Sequence, residues 1–481
     1  MTQPPDLPVR LLELLAASAS SARTVVEAGG RTPAPASVRD RAVPVDLLVL
    51  APTAAQPRSS EWRSAASLAA ETTHPDGVVY VVAPRRVRRR VVRLVEAAGF
   101  RAAASFAHVR DGGRTRYLVE VDPGAVAYAL SRSIGGRRLT RWVSRHVFRF
   151  RLHRLFSAIS PVIGVALQRP SASPLLAWTL ARGGAAGGGA ILTERRRGRF
   201  VVYRIGGEQS LLVKVAAAAV DVEREGRALD TLAATARDAG ADVPARVAVR
   251  RGATDRPILA QTLIPGIPAS ELLAGKPRKV VHVLSRLAEW LAVWHRSSTS
   301  ARVVSRDILE EALLGPARLL EPRLGPEYSS WLERRCRLWT GTTMPAVHAH
   351  LDLTMANVLL KGNRGFGVVD WESARPDSLP LADFFYAAAD AAAAVHQYAD
   401  RGAAFRSAFL PGGRYFADVS ELVDRLSREV ELSSSSVELT FHACWLHHAA
   451  NEARESRPTD PRPFLNIASV VSDWRVFFDA G

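Results

Sequence analysis

The stretch "VHAHLDLTMANVLLKGNRGFGVVDWESA", residues 347–374, constrains this chain more than any other. Polar residues stand at fixed separations in a segment that otherwise has the apolar pattern of buried strands. His350 and Asp352 open a loop, Asn357 follows five residues after Asp352, and Asp370 ends the apolar run "FGVV". Such a loop can present Asp352 to a substrate hydroxyl, while Asn357 and Asp370 offer the hard oxygen ligands that suit Mg²⁺.

This segment resembles the aminoglycoside phosphotransferase and choline kinase branch of the protein-kinase-like fold. The catalytic loop of that family reads H-G-D-x-x-x-x-N, and its metal-binding strand ends in D-W-E or a close variant. The resemblance implies that Asp352 is the catalytic base and that Asn357 and Asp370 are the metal ligands. It also implies that His350 braces the loop. The glycine usual before the catalytic aspartate is Leu351 here.

An apolar strand upstream supplies the lysine that a kinase-like lobe requires. "SLLVKVA" ends in Lys214, the only lysine among the first 275 residues, and "DVEREGRALDTL" follows it as a predicted helix. A buried lysine needs a carboxylate partner, because an unpaired buried charge is costly. Glu225 best fits the family's pairing glutamate, and Glu223 is the alternative.

Two further matches, the hinge strand and Asp383, extend the resemblance across residues 190–481. "ILAQTLIPG" is similar to the hinge strand, which implies that the backbone from Gln261 to Leu263 binds the adenine of ATP. "PLADFF" places Asp383 at a structural aspartate of the family. The turn that covers the phosphates in this family has no G-x-G-x-x-G counterpart here, and "ERRRGRF" with Gly198 is the best candidate for it. The stretch "GGAAGGG" could serve instead, but a linker is the favoured interpretation of that stretch. The predicted N-lobe spans 190–262 and the helical C-lobe 263–481.

The region before this kinase-like part has a different texture. Residues 1–44 form a tail, and from Val45 onward buried-strand runs such as "VDLLVLAP" and "GVVYVVAP" alternate with helical stretches. This alternation predicts a Rossmann-like α/β domain over 45–130. The region resembles the later half of a class I methyltransferase domain but lacks that family's Gly-rich turn. The predicted fold is therefore an α/β N-terminal domain plus an α+β, two-lobed, protein-kinase-like domain.

Residues 131–189 join these two parts. The first portion, 131–168, interleaves arginines with aromatic residues, which an anionic membrane surface would favour and which domain packing also explains. The second portion contains "GGAAGGG", a linker signal. We expect a connecting segment here, with peripheral membrane contact as one of two interpretations.

Composition limits the classes of function. The chain has 481 residues, enough for two or three domains, and a formal charge of +17. Nearly all of the basic residues are arginines, with four lysines. A coding bias toward arginine would give the same net charge, so a nucleic-acid partner is not favoured. Two cysteines and no secretory signal favour a reducing, cytoplasmic setting.

Rival sites are less well supported. His348 and His350 could begin a zinc site. The further ligands would come from a predicted helix that carries His442, His447, His448 and Glu452, but these residues do not have the spacing of a metal site. No P-loop motif and no G-x-S-x-G elbow occurs in the chain. A pseudokinase that binds nucleotide without transfer stays open, although the lysine, the base and the metal aspartate are all present.

The sequence thus predicts an ATP- and Mg²⁺-dependent phosphotransferase acting on a hydroxyl of a small molecule. A sugar, an amino sugar and an aminoglycoside-like compound are all open as acceptors, as are ATP against GTP and the oligomeric state. The helical tail carries acidic residues that could attract a polyamine, but acids on helices are usually solvated: Asp377, Asp390, Asp400, Glu421 and Asp424.

Overall fold

The protein is seen in a computed structural model that describes residues 23–28, 45–52, 59–82, 85–111, 114–133, 162–172, 189–194, 199–206, 209–216, 219–251, 257–362, 365–455 and 462–473. The chain falls into two compact units. The first comprises residues 1–226 and 246–263, and the second comprises residues 227–245 and 264–481. Lys214 belongs to the first unit and Asp352 to the second.

The first unit is built on a single sheet. Its described strands are β1 (Arg23–Ala28), β2 (Val45–Pro52), β3 (Thr73–Val82), β4 (Arg101–Asp111), β5 (Arg114–Glu120), β6 (Ile163–Gln168), β7 (Gly189–Glu194), β8 (Phe200–Ile205), β9 (Leu211–Val215), β10 (Arg246–Arg251) and β11 (Pro257–Thr262). They form one sheet in the order β1-β2-β3-β6-β4-β5-β7-β8-β9-β11-β10. The sheet therefore continues from the predicted α/β region into the strands of the predicted N-lobe.

Apolar runs bury β2 and β3 on both faces, as their sequences predict. Among the described residues, the helices that lie wholly in this unit are α1 (Ser59–Thr72), α2 (Arg85–Ala97) and α3 (Pro123–Ser133). Trp62 of α1 and Val91 of α2 share one core cluster with Val79 and Val81 of β3. Tyr80 lies in the cluster on the opposite face, together with side chains from β4 to β9 and from β11. Each fully buried valine or larger side chain stabilises the fold by about 1.5–3 kcal/mol.

The predicted Rossmann-like layer is not shown by the strand directions. β1, β2 and β3 pair in parallel, but β6 pairs antiparallel with both β3 and β4. The later pairings between the described strands of this sheet are antiparallel as well. The methyltransferase-like resemblance is likewise not confirmed. The sequence pattern does not indicate β6, because "IGVALQ" directly follows an arginine-rich segment. An antiparallel strand inserted from that distance leaves no periodicity signal near β3 or β4.

Strand β6 also corrects the expectation for residues 131–168. All six of its residues are buried, so a membrane contact does not hold for 163–168. Gly164 is required there, because a Cβ at that position would lie 2.1 Å from the Tyr80 ring. The basic part of the segment, residues 134–161, and the linker residues 173–188 lie outside the described residues. For them the predictions stay predictions.

The strands near the predicted nucleotide site form an antiparallel meander. β7 pairs with β8 and β8 with β9, in the strand–turn–strand order that "AILTE", "FVVYRI" and "SLLVKV" predict. β9 then pairs with β11, and β11 with β10. This part of the prediction is confirmed.

The second unit is mainly helical. Its helices are α4 (Ala219–Thr231, which begins in the first unit), α5 (Ala233–Asp238), α6 (Ala269–Leu273), α7 (Val280–Ser298), α8 (Arg306–Leu309), α9 (Gly315–Leu324), α10 (Pro326–Trp339), α11 (Ala382–Val395), α12 (Arg401–Phe409), α13 (Phe416–Glu429), α14 (Ser434–Glu455) and α15 (Pro463–Asp473). Shorter helical turns cover Pro277–Lys279, Glu310–Leu314 and Trp371–Ser373.

Two small sheets complete this unit. Their strands are β12 (Ile267–Pro268), β13 (Ser300–Val303), β14 (Thr343–Ala349), β15 (Val358–Lys361), β16 (Gly365–Val368) and β17 (Arg375–Ser378). The sheet orders are β12-β15-β16 and β13-β14-β17. The motif of residues 347–374 therefore starts on β14, crosses the β15–β16 hairpin and ends before β17.

Helix α11 is the centre of the second unit. Every residue from Asp383 to Val395 is buried, and α6, α7, α12 and α14 all pack against the helix. An alanine-rich sequence that is apolar on all sides suits such a central position. Among the described residues, no helix combines the length and apolarity needed to cross a membrane.

Candidate active site

The first unit holds the predicted lysine in an ion pair. The Nζ atom of Lys214, on β9, lies 2.7 Å from both carboxylate oxygens of Glu225, on α4. The Glu225 side chain is 2% exposed and that of Lys214 is 18% exposed. Glu223, the alternative partner, is exposed on the same helix. Loss of either member of such a pair leaves a poorly hydrated charge, which typically costs about 3–5 kcal/mol.

The other residues predicted to bind the nucleotide are Gln261, Leu263 and Gly198. Gln261 is buried on β11, where it pairs in register with Leu212 of β9. The backbone N–H of Leu263 donates to the carbonyl of Ser210 at 2.9 Å, so this donor is already used in the structure. Gly198 lies outside the described residues, and nothing is added to its prediction.

In the second unit, α11 holds the start of the loop that follows β14. The Asp383 carboxylate accepts the backbone N–H of His350 at 2.6 Å and that of Leu351 at 2.7 Å. Leu351 has a φ of 59°, in the left-handed region that glycine adopts without steric cost. The departure from the family's glycine is therefore a strained backbone position, fixed by two charge-assisted hydrogen bonds.

The His350 side chain holds this loop in place through a hydrogen bond and a ring contact. The side chain is fully buried, and Nε2 donates to the Val369 carbonyl at 3.1 Å. The imidazole also packs edge-on against Trp371, with ring centroids 5.0 Å apart. His350 thereby connects the loop to the residues just before and just after Asp370.

The far end of the loop is held by a residue that the sequence pattern did not indicate. Asp390 is fully buried, and its carboxylate accepts the backbone N–H of Met355 at 2.7 Å. Arg401 donates to the same carboxylate at 2.8 Å, and Tyr398 donates to it at 3.2 Å. Asp390 is therefore a structural carboxylate, whereas its place on a helix predicts a solvated acid.

Asp352 and Asn357 face each other across the loop. The Asn357 amide nitrogen donates to the Asp352 carbonyl at 2.9 Å and to its carboxylate at 3.2 Å. Burial raises the pKa of Asp352 to about 7, with smaller contributions in the same direction from the charges of Asp370, Asp390 and Glu372. A carboxyl group with a pKa near neutrality is well matched to proton transfer.

Asp370 follows β16 in an unusual backbone conformation. Its φ of 71° is left-handed, and the residue precedes the turn Trp371–Ser373. Asp370 and Glu372 each offer a carboxylate oxygen, and these two oxygens lie within 4.8 Å of each other. Glu372 is part of the D-W-E motif, yet the motif alone assigned it no role.

These donors fit a hard divalent cation. Asn357 uses its amide nitrogen for Asp352, which leaves its amide oxygen available as a ligand. Carboxylate and amide oxygens are the ligands that Mg²⁺ prefers. The predicted zinc alternative is not supported, because His442 pairs with Tyr328, and His447 with Asn451. Within the described ranges, neither His348 nor His350 joins a cluster of three possible metal ligands.

Comparison with protein families gives one match. Residues 194–418 match the APH family, described as the phosphotransferase enzyme family. The match covers slightly less than half of the chain and includes both the Lys214–Glu225 pair and the loop of residues 350–357. None of the curated proteins matches the chain.

Solved structures give low-identity matches. A Ralstonia eutropha JMP134 protein provisionally described as an aminoglycoside phosphotransferase is 12% identical, with a TM-score of 0.44, over 62% of this chain and 94% of its own. A thermostable mutant of aminoglycoside phosphotransferase APH(4)-Ia, in ternary complex with ADP and hygromycin B, is 13% identical, with a TM-score of 0.41, over 61% and 94%. The GDP complex of aminoglycoside 2'-phosphotransferase-IIIa is 14% identical, with a TM-score of 0.37, over 59% and 90%.

Proposed function

We propose that this protein is an ATP- and Mg²⁺-dependent phosphotransferase that moves the γ-phosphate to a hydroxyl of a small molecule. The acceptor classes consistent with the family are a sugar, an amino sugar and an aminoglycoside-like compound. The observation that carries the proposal is the loop of residues 350–357, which α11 fixes at both ends while Asp352 stays poised near neutral pKa.

Asp352 is the proposed base. As the acceptor oxygen attacks the γ-phosphorus, the acceptor O–H bond breaks and its proton passes to the Asp352 carboxylate. The bond between the γ-phosphorus and the β–γ bridging oxygen breaks in the same displacement, and ADP leaves with that electron pair. The hydrogen bond from Asn357 fixes the Asp352 side chain for this role.

Asn357 and Asp370 are the proposed Mg²⁺ ligands, with Glu372 as a further nearby carboxylate. A bound Mg²⁺ would neutralise part of the phosphate charge. In its absence, Asp352, Asp370 and Glu372 repel one another, which is one reason why the pKa of Asp352 is raised. The clustered carboxylates thus favour occupation by a cation.

Lys214 is the proposed ligand of the α- and β-phosphates. Glu225 holds the ammonium group through two hydrogen bonds and so fixes its position for a phosphate oxygen. The backbone from Gln261 to Leu263 is the proposed adenine contact. Since the Leu263 N–H already donates to Ser210, the carbonyl groups of this strand are the better candidates.

The test of this proposal is the substitution Asp352→Asn. We expect turnover to fall by about 10²–10⁴-fold, because the base is lost, while Mg²⁺–ATP affinity changes little. Labelled γ-phosphate transfer and calorimetry measure the two quantities separately. The exposed carboxylate of Asp424 provides the control Asp424→Asn, which should transfer like the wild type.

Undiminished transfer by Asp352→Asn would exclude Asp352 as the base. Mg²⁺–ATP binding by the wild type without any transfer to sugars, amino sugars or aminoglycosides would instead support the pseudokinase.

A further inference from the structure

One face of the sheet in the first unit carries the lysine predicted to bind the phosphates. Leu211, Val213 and Val215 of β9 belong to a buried core cluster. Successive side chains of a strand point to opposite faces of its sheet, so Leu212 and Lys214 lie on the other face. Both of these residues are partly exposed, whereas the three core residues are buried. We call this second face the Lys214 face.

The strands on either side of β9 continue the Lys214 face. Leu212 pairs in register with Gln261 of β11 on one side and with Tyr203 of β8 on the other. Residues directly opposite each other on antiparallel strands lie on the same face. Neighbouring strands are about 4.8 Å apart, so two such spacings separate Tyr203 from the strand predicted to bind the adenine. A purine with its ribose can span that distance.

Gln261 offers a polar atom to a ligand on this face. The residue is 2% exposed, and within the part of the chain that the structure describes its amide oxygen has no hydrogen-bond partner. A buried acceptor without a donor is energetically costly. The exocyclic amino group of adenine is a donor of the kind that this oxygen needs, so the Lys214 face suits a nucleobase beside β11.

Helix α3 borders the Lys214 face on the other side of β9. It packs against β5, β7 and β8, and its buried residues Ala125, Val126 and Ala129 share one cluster with Ile191 of β7. Ile191 pairs in register with Tyr203 of β8. The helix therefore covers the Lys214 face over β5, β7 and β8, next to the partly exposed residues of β9.

The start of α3 is fixed by a cap and by a close approach to β7. The Asp122 carboxylate accepts the backbone N–H groups of Gly124 at 2.8 Å and of Ala125 at 3.2 Å. Gly189 is the last residue of "GGAAGGG", and a Cβ at that position would lie 2.6 Å from the Cβ atom of Asp122. Only glycine allows this approach, so the last glycine of the motif has a packing role that seats α3 on the sheet.

An aromatic pair forms the boundary between α3 and the exposed part of the Lys214 face. Tyr128 of α3 lies against Tyr203, with ring centroids 5.6 Å apart and planes inclined by 38°. Both residues are half-buried. Aromatic rings offer a rigid, flat, apolar surface on which a base or a sugar packs. Because Tyr203 is the neighbour of Leu212, this surface adjoins the position between β8 and β11.

We infer that Tyr128 and Tyr203 form one wall of the nucleotide-binding site, against which the purine or the ribose of ATP packs. The inference rests on the proposed function, which assigns the phosphates to Lys214. It adds to that function a helix that precedes residues 194–418, the range that matches the family. The region before the kinase-like strands thereby contributes to nucleotide binding.

Calorimetry with two ligands separates the purine nucleoside from the phosphates. The ligands are Mg²⁺–ATP and Mg²⁺–tripolyphosphate, which lacks the base and the ribose. In Tyr128→Leu and in Tyr203→Leu we expect the Kd of Mg²⁺–ATP to rise about tenfold, the effect of one lost base–aromatic contact, while the Kd of Mg²⁺–tripolyphosphate stays within twofold. Tyr128→Phe keeps the ring and should bind Mg²⁺–ATP like the wild type.

Tyr117→Leu is the matched control. Tyr117 packs against the same cluster but belongs to β5, which β7 and β8 separate from β9, so the affinity for Mg²⁺–ATP should stay within twofold. An equal loss in this control would overturn a direct contact, because the effect would then come from general packing. Unchanged affinity in both Tyr128→Leu and Tyr203→Leu would also overturn the inference. So would tighter binding, which would mean that α3 obstructs the site.

Photolabelling tests the same contact on the wild type, without any variant that must fold. 8-Azido-ATP labels residues near the base, and excess ATP should prevent the labelling. We expect the label in the tryptic peptides 117–132 or 200–204, which contain Tyr128 and Tyr203. Label confined to other peptides would overturn the inference and leave the proposed function intact. If the wild type neither binds Mg²⁺–ATP nor takes up label, the proposed function fails, and the inference falls with it.

Discussion

The buried polar groups of the sheet in the first unit differ from those of the loop in the second. In the sheet, Tyr80 and His108 share one hydrogen bond of 2.9 Å inside a hydrophobic core. In the loop of residues 350–357, carboxylates converge: Asp383 and Asp390 bind the backbone, and Asp352 lies close enough to Asp370 and Glu372 for their charges to raise its pKa.

This difference distinguishes buried polar groups that only stabilise the fold from groups that a reaction or a cation can use. A tyrosine–histidine pair can be neutral throughout, so burying it costs little once its hydrogen bond is made. Like charges near one another oppose folding and persist where a cation or a reaction uses them. The strained φ angles of Leu351 and Asp370 accompany the carboxylates. Strain together with like charge is what the proposed function expects of this loop.

The largest expected effect on stability is at Asp383. Replacement by alanine leaves the buried N–H groups of His350 and Leu351 without their acceptor, so we expect Asp383→Ala to lower the free energy of unfolding by about 4 kcal/mol. Urea denaturation measures the change. Asp424→Ala, at an exposed carboxylate, should change the same quantity by less than about 0.5 kcal/mol. Equal effects of the two variants would show that Asp383 does not hold the loop.

A pH dependence should come from the same residue. Burial raises the pKa of Asp383 to about 6, although its two backbone hydrogen bonds act in the opposite direction. Between about pH 4 and pH 6 the unfolded chain has released this proton and the folded chain has not. Raising the pH through that window therefore favours unfolding, by about 3 kcal/mol in total. In Asp383→Asn this contribution should vanish, and an identical pH profile would contradict the assigned pKa.

Leu351 tests the strain in the loop. A β-branched side chain tolerates a left-handed φ less well than leucine, so Leu351→Val should lower the free energy of unfolding by about 1–2 kcal/mol. Leu351→Gly should relieve the strain and change stability by less than about 1 kcal/mol, because glycine loses more backbone entropy on folding. Thermal unfolding compares the two variants. A glycine variant less stable than the valine variant would argue against strain at this position.

The smallest effect is expected in the sheet of the first unit. Tyr80→Phe removes the hydrogen bond to His108, and we expect a loss of about 1 kcal/mol with no change in phosphoryl transfer. Denaturation and labelled transfer check the two parts. A steep loss of transfer in this variant would mean that the neutral pair contributes to function and that the contrast between the two regions is wrong.

Local sequence patterns predicted those parts of the site whose residues lie close together in the chain. The Lys214 strand and the order of histidine, aspartate and asparagine in the loop are of this kind. So is the meander of β7, β8 and β9, which the structure confirms. The constraints on these positions act between residues that are near in sequence. A buried lysine needs a carboxylate partner, and the oxygen ligands of a hard cation lie at short spacing in one loop.

Other features depend on contacts distant in sequence. Asp390 is an acid on a helix, a kind of residue that is usually solvated, and its burial depends on Met355 and Arg401, which lie 35 and 11 residues away. Strand β6 enters between β3 and β4 from a later part of the chain. Tyr386 of α11 stacks on His448 of α14 and packs near Phe464 of α15. No window of adjacent residues contains these relations.

Calorimetry of ATP binding, with and without Mg²⁺, on the wild type and on Asp370→Ala tests the central claim most directly. Asp370 is the proposed Mg²⁺ ligand after β16, so its loss should affect the metal-dependent part of binding alone. We expect the wild type to bind ATP more tightly when Mg²⁺ is present, and the variant to lose that gain. Equal ATP affinity in both proteins, or no binding by the wild type under either condition, would contradict a phosphotransferase site at these residues.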